Sequence, residues 1–197
     1  MARESIPGWD PIVALYRKWV ETPPRQGAIV VEVGVALGRS LSFIADWCLE
    51  HDRKDVEVWA VDSWAHNAPN GEQQQWAKII GGDFTLYAKT MLEHDPTAFE
   101  FIRPIRATSE RAARLFDPGA IDVCLIDADH SYEGCISDIR AWLPRVRSGG
   151  LIGGDDHHEL HHPGVIQACR EVFGSGYEVI ERANGWPDGR AWWKVMP

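Results

Sequence analysis

VCLIDADHSYEG, residues 123–134, is an apolar run that stops on polar groups: Asp127, Asp129 and His130 follow Val123 to Ile126 with no glycine or proline between them. The same shape returns in GGLIGGDD, residues 149–156, where Asp155 and Asp156 close a second apolar run. Short continuous apolar runs bounded in this way read as strands buried on both faces. In an open α/β sheet the ligand crevice lies outside the carboxyl ends of the strands, so two neighbouring strands would deliver these groups to one place.

Outward from this pair the chain alternates strand and helix. Ala28 to Val33 is a β-branched strand, and Gly34 to Gly38 turns it into a helix from Ser40 to Glu50. Then come a strand Val56 to Val61, a strand Phe101 to Ile105, a short helix Ser109 to Phe116 and the strand Ile121 to Ile126. A helix Tyr132 to Val146 follows, stopped by Gly149-Gly150, then a strand Leu151 to Gly154 and a helix Pro163 to Phe173. Two last strands, Tyr177 to Arg182 and Arg190 to Met196, flank a turn-rich stretch and suit an antiparallel hairpin at the sheet edge. This order predicts an α/β, Rossmann-like doubly wound sheet of about seven strands, mostly parallel with an antiparallel C-terminal edge hairpin.

With 197 residues, residues 1–197 are expected to form a single domain around one core. Residues 1–27 would supply a covering helix, with Asp10 as N-cap and Pro11 in the first turn. Residues 65–98 form the longest interruption, either a lid or substrate wall or an inert surface excursion. A net charge of −9 argues against nucleic acid as a partner. No apolar run reaches the ~20 residues of a membrane span, and the N-terminal stretch shows no secretory apolar region. The four cysteines, Cys48, Cys124, Cys135 and Cys169, are widely spaced without a C-x-x-C pair and read as reduced core thiols. A soluble, cytoplasmic protein is expected.

Of the ten tryptophans, Trp64 and Trp76 stand where a pocket wall needs them, and Trp142 reads as packing. Trp192 and Trp193 point to opposite sides of an edge strand, so one of them is expected to be exposed and to mark a homodimer contact.

EVGVALGRS, residues 32–40, places Gly34 and Gly38 where missing side chains let a ligand approach the backbone. Ala36 stands where a dinucleotide fingerprint has a further close-spaced glycine, so a pyrophosphate would be poorly cradled. Asp62 ends the next strand, where an acid can accept hydrogen bonds from ribose hydroxyls, and the Trp64 indole beside it could stack on a base.

With these residues in hand, E-x-G-x-x-x-G-x-S at 32–40, Asp62, A-T-S-E at 107–110, and IDADHSY with GGDD resemble a class I S-adenosylmethionine-dependent methyltransferase. More narrowly they resemble the metal-dependent O-methyltransferases, in the branch with macrolide-sugar O-methyltransferases and cephalosporin-hydroxylase-like proteins. The likeness runs from Val30 to Phe173. It implies that Glu32, Gly34, Gly38 and Ser40 surround the methionine part of S-adenosyl-L-methionine, that Asp62 holds the ribose, and that Ser109 and Trp64 flank the adenine. It further implies that Asp127 faces both cofactor and metal, and that Asp127, Asp155 and Asp156 hold Mg2+ or a similar divalent cation. This chain has Asp-Asp where that family often has Glu-Asp or Asp-Asn.

The residue chemistry supports a cation independently, because converging carboxylates repel one another unless a hard ion neutralises them. Strand-end aspartates that merely cap turns are the alternative. His130, three positions after Asp127, would act as the catalytic base toward the hydroxyl of a small-molecule acceptor, such as a sugar, polyketide or phenol. It could instead bond its own loop. Asp129 reads as a turn group. The tract HHELHH, residues 157–162, spells H-E-x-x-H at His158 to His162, but Pro163 begins the next helix directly after it and the preceding aspartates suit harder ions than imidazole does, so it reads as a loop over the pocket and not as a zinc hydrolase's helix. A non-catalytic cofactor-binding protein, a zinc hydrolase built on that tract and a nicotinamide oxidoreductase are the rival functions.

Overall fold

The computed structural model describes residues 5–8, 10–65, 83–181, 183–185 and 189–197. The early part of the 65–98 segment, with Trp76, lies outside the described residues.

Along the chain run α1 (Val13–Val20), β1 (Ile29–Val33), α2 (Arg39–Glu50), β2 (Glu57–Asp62), α3 (Phe84–His94) and α4 (Pro96–Phe101). They are followed by β3 (Ile102–Arg106), α5 (Ser109–Ala113), β4 (Ile121–Ile126), α6 (Tyr132–Trp142) and β5 (Val146–Gly154). The last elements are α7 (Pro163–Phe173), β6 (Glu178–Glu181) and β7 (Arg190–Val195). Among the described residues the strands form one sheet in the order β3-β2-β1-β4-β5-β7-β6. The first five are parallel, and β7 runs antiparallel to both β5 and β6. The predicted doubly wound sheet with its antiparallel terminal hairpin is therefore present.

Strand side chains alternate between faces, and this splits the core in two. Val30, Val58, Ala60 and Leu125 face Leu15 and Tyr16 of α1, Leu41 and Ile44 of α2, and Tyr87 and Met91 of α3. Val31, Val33, Cys124 and Ile126 face Ala112 of α5, Ile139 and Trp142 of α6, and Val165 and Cys169 of α7. All four cysteines are buried and unpaired, as read from their spacing. No helix among the described residues is long and apolar enough to cross a membrane.

Register fixes the level of the strand ends. Val61 pairs with Val33, Val33 with Ile126, and Ile126 with Gly154, so these four residues lie in one row across β2, β1, β4 and β5. The next residue on each strand is Asp62, Gly34, Asp127 or Asp155. The order reverses between β1 and β4, and that switch point is where the crevice of such a sheet opens.

Three local readings are corrected. The helix of α6 ends at Trp142, a single 3-10 turn carries the chain over Leu143–Arg145, and β5 starts at Val146, so Gly149-Gly150 lie inside a strand. Ile121 pairs with Val146 but Val123 with Leu151, so the glycines occupy a bulge that lengthens β5 against β4. Asp10 does not cap α1: the N-cap is Ile12, without a side-chain bond, and the Asp10 carboxylate pairs with Arg39 of α2 at 2.9 Å. Trp192 and Trp193 are both buried because β7 lies between β5 and β6 rather than at the edge. The aromatic edge expected to seat a homodimer is thus packed inside the molecule.

At the opposite, amino-terminal end of the strands, Asp122 of β4 is 1% exposed and ties three strands and a loop together. It accepts hydrogen bonds from Arg25 (2.7 and 2.8 Å), from Arg147 of β5 (2.7 Å) and from the Ile29 backbone N–H of β1 (2.8 Å). Removing a buried partner of charged groups costs on the order of 3–5 kcal/mol. Because both guanidinium groups keep contact with water, Asp122→Ala is expected to lose about 3 kcal/mol. The urea midpoint should fall with an unchanged slope, and a loss within ~0.5 kcal/mol would show that the knot is not a stability determinant.

Candidate active site

Gly34 leaves β1 at φ 87°, and its N–H donates to the Val61 carbonyl at 2.8 Å. A Cβ there would fall inside the Asp127 carbonyl group, so only glycine lets the turn lie against the end of β4. Asp127 answers with its own N–H on the Val33 carbonyl at 2.7 Å. Gly38, at φ 88°, opens α2 as an N-cap with no side-chain bond. A Cβ on it would meet Met91 Sδ at 2.5 Å and Tyr87 Cε2 at 3.1 Å, so α3 presses on the turn from outside.

Asp62 spans the turn from β2, accepting from the Ala36 N–H at 2.9 Å and the Trp64 N–H at 2.7 Å. A carboxylate has about four acceptor positions, so capacity remains for further donors. Among the described residues the non-glycine positions with positive φ are Ala36, Asp52, Trp64 and Asp156. Three of these border the crevice, where sparsely populated backbone often marks a working site.

Several expected cofactor contacts are spent elsewhere. Glu32 is 1% exposed, and its carboxylate accepts from Tyr16 Oη at 2.5 Å and Ser40 Oγ at 2.6 Å. These two residues lock α1 and α2 onto β1 instead of facing the crevice, because Glu32 points to the α1/α2 face of the sheet. Trp64 is buried, stacks near Phe84 and Tyr87, and donates its indole N–H to the Ala36 carbonyl at 2.9 Å. It braces the turn. Ser109 accepts from Trp142 Nε1 at 2.8 Å and also bonds Asp138, so it anchors α5 to α6. Trp142 itself is packing, as read.

The carboxylates and imidazoles do meet, in an altered grouping. His130 Nε2 lies 3.2 Å from Asp127 Oδ1 and 2.9 Å from Asp156 Oδ2. His162, the last residue of the histidine tract, places Nε2 3.5 Å from Asp156 Oδ1, with its ring 4.7 Å from that of His130. Donor atoms of His130, Asp156 and His162 all lie within 4.8 Å of one another, a spacing a metal ion could bridge. The expected trio Asp127, Asp155 and Asp156 does not reach that spacing. Asp155 is buried and turns its Oδ1 onto the Asp156 N–H at 2.7 Å, while His130 sits between Asp127 and Asp156.

The electrostatics follow from this packing. Burial pulls the His130 pKa down, but the carboxylates on either side overcome it and hold the ring at about 11, as an imidazolium. Burial, with Asp127 and Asp156 alongside, pushes Asp155 well above the carboxylate range. Burial also raises Asp127, although His130 opposes the shift. At Asp156 burial is outweighed by the bond from His130 together with the charges of His130, His162 and His158, and the pKa is lowered. As it stands, then, His130 is an acid paired to two carboxylates and not the free base expected from the ordinary value.

Asp129 accepts from the Ser131 N–H at 2.9 Å, the turn role read for it. Within the histidine tract, His157 bonds Tyr177 Oη at 2.9 Å and His158 accepts from the Leu160 N–H at 3.2 Å. Among the described residues only His162 of the tract reaches a carboxylate, and it does so in company with His130 from outside the tract, so the tract does not by itself gather a metal site. His162 is the residue that sequence reasoning missed. Its signal was its place directly before Pro163, which starts α7 and fixes the approach of the loop.

Residues 31–157 match the family described as "Methyltransferase domain". The chain belongs to that family. It is an S-adenosylmethionine-dependent methyltransferase. No curated protein sequence matches it. Among solved structures it is similar to the O-methyltransferase NovP, with a TM-score of 0.66 at 20% identity over 94% of this chain and 80% of that one. It is also similar to CalS11, a TDP-rhamnose 3'-O-methyltransferase of calicheamicin biosynthesis, at 0.60 and 18% identity over 90% and 75%. Fibrillarin from Aeropyrum pernix, with natively bound S-adenosyl-L-methionine, gives 0.51 and 13% over 93% and 73%. At these identities the likenesses establish a shared fold.

Burial raises the Glu32 carboxyl of this methyltransferase from 4.5 to about 8, against the bonds from Ser40 and Tyr16. Between about 4.5 and about 8 the folded chain holds a proton there that the unfolded chain lacks, so stability falls as pH rises through that window. Glu32→Gln should flatten this decline while leaving the acid side unchanged. Urea unfolding across the window checks it, and parallel curves for the two proteins would refute it.

Proposed function

We propose that this methyltransferase moves the methyl group of S-adenosylmethionine to a hydroxyl oxygen of a small molecule, in the class of a sugar, polyketide or phenol, with a divalent cation assisting. The observation that carries the reading is the row of Asp62, Gly34, Asp127 and Asp155 across the switch point, with Asp156, His130 and His162 gathered beside it. NovP and CalS11 being O-methyltransferases favours oxygen as the acceptor atom, and CalS11 a sugar. The net charge of −9 favours a small acceptor over a nucleic acid. Four buried, unpaired thiols suit a reducing compartment such as the cytoplasm.

The residues present fit both groups. The glycine turn and the uncapped start of α2 suit the anionic end of the methionine part, and Asp62 keeps acceptor positions for ribose hydroxyls. Asp127 and Asp156 would hold the cation through oxygen, with His162 adding a nitrogen donor and Asp155 behind them. Oxygen donors suit magnesium, and imidazole broadens the choice toward borderline ions such as manganese or zinc. When bound, the ion supplies positive charge that neutralises the carboxylates and acidifies an acceptor hydroxyl.

In the transfer the carbon–sulfur bond breaks as the carbon–oxygen bond forms, and the hydroxyl proton must leave. Asp127 and Asp156 hold the His130 ring by Nε2, at the mouth of the crevice. Released from those carboxylates, the ring would return toward its ordinary pKa of ~6.5 and could take that proton at Nε2. The turn and Asp62 fix the donor, and much of the rate would come from this alignment.

Calorimetric titration with S-adenosylmethionine and S-adenosylhomocysteine, with and without magnesium or manganese, tests the reading. Asp62→Ala should weaken both nucleosides about tenfold or more, as expected for charge-assisted bonds. Asp156→Ala should keep nucleoside affinity but lose the response to the ion. A wild-type protein that binds neither nucleoside overturns the proposal.

A further inference from the structure

Among the described residues, Tyr87 of α3 is the one large buried polar side chain near the glycine turn whose hydroxyl the fold leaves unused. It is fully buried, and its Oη has no hydrogen-bond partner. Its ring is fixed by Trp64 at 4.7 Å, Phe84 at 6.0 Å and Phe99 at 6.3 Å. The ring edge beside the hydroxyl-bearing carbon is the part that would meet a Cβ on Gly38, at 3.1 Å. Burial, then the nearby charges of Glu32 and Asp62, push the phenol well above its usual pKa, so the group is a neutral donor at any working pH. An unused donor of this kind carries an uncompensated desolvation penalty, which makes its retention informative.

A second feature meets it. The α2 helix starts at Gly38, where no side chain caps it and where a Cβ would meet the Tyr87 ring. An orphan hydroxyl donor on a ring packed against a helix start requires an acceptor, and a carboxylate supplies one.

We propose that the Tyr87 hydroxyl is a cofactor contact, donating to the carboxylate of the methionine part of S-adenosylmethionine at the start of α2. The proposal rests on the cofactor reading above. It gives a binding role to α3, the part of the 65–98 segment that the structure describes, and assigns that helix to the wall of the cofactor site. Neither spacing nor family motif marks this position.

Tyr87→Phe separates binding from folding, because the two effects have opposite signs. Unliganded, the variant should melt at the same temperature as wild type or higher, since an unsatisfied buried hydroxyl has been removed. By calorimetry its affinity for S-adenosylhomocysteine should fall about threefold to tenfold, the value of one hydrogen bond to a charged group. With 5'-methylthioadenosine, which lacks the amino-acid part, wild type and variant should bind alike. Equal affinity of both proteins for S-adenosylhomocysteine overturns the proposal alone, as does an equal loss with both ligands or a lowered unliganded melting temperature. A wild type that binds neither ligand overturns it together with the cofactor reading.

Discussion

The approach of Gly34 to the Asp127 carbonyl sets the geometry of everything above the sheet. Because no Cβ intervenes, β1 and β4 end at one level with their backbones in contact, and the reciprocal bonds Gly34 N–H to Val61 and Asp127 N–H to Val33 hold three strand ends together. From there the glycine turn is braced on one side by Asp62 and on the other by Met91 and Tyr87. Any larger residue at position 34 would separate the turn from the acidic cluster, and a donor bound on one could no longer face an acceptor held by the other. One missing side chain thus couples two half-sites that come from opposite halves of the sheet.

Charge crowding is the second constraint. Asp127, Asp155 and Asp156 approach within a partly dry crevice, and the chain meets the repulsion with its own groups: the His130 imidazolium between two carboxylates, and a strongly raised pKa on Asp155. His130 therefore stands where positive charge is needed. On the proposed function, an external ion would share with that ring one set of carboxylates.

Much of the fold was legible because its signals are local. Buried parallel strands are short apolar runs, and those of β1, β2, β4 and β5 end on Gly34, Asp62, Asp127 and Asp155 as read. What escaped depends on contacts distant in sequence. The Gly149-Gly150 bulge looks like a helix stop until the register of β5 against β4 is known. Trp192 and Trp193 look half exposed until β7 is seen to insert between β5 and β6. In the site, Asp127, Asp156 and His130 lie together, with Asp62 in the same row of strand ends. Glu32, Ser40, Trp64 and Ser109 turn their polar groups onto protein partners, because a motif gives the position of a residue and not the direction of its side chain. His162 joined the cluster through the path of a loop, for which sequence carries no periodic signal.

The two ends of the sheet divide the work between them. At the amino end Asp122 is fully satisfied by two guanidinium groups and a backbone N–H. At the carboxyl end the chain accumulates unfavourable features: positive φ at Ala36, Trp64 and Asp156, a buried carboxyl at Glu32, crowded aspartates and the orphan Tyr87 hydroxyl. Each is a cost that a compact domain with a marginal stability of ~5–15 kcal/mol would shed if nothing compensated it. On the readings proposed above, a bound cation would take over the neutralising role of His130 and a ligand carboxylate would satisfy the unused donor. Binding should therefore be stabilising out of proportion to the surface it covers, because it cancels penalties already present in the empty fold as well as adding contacts.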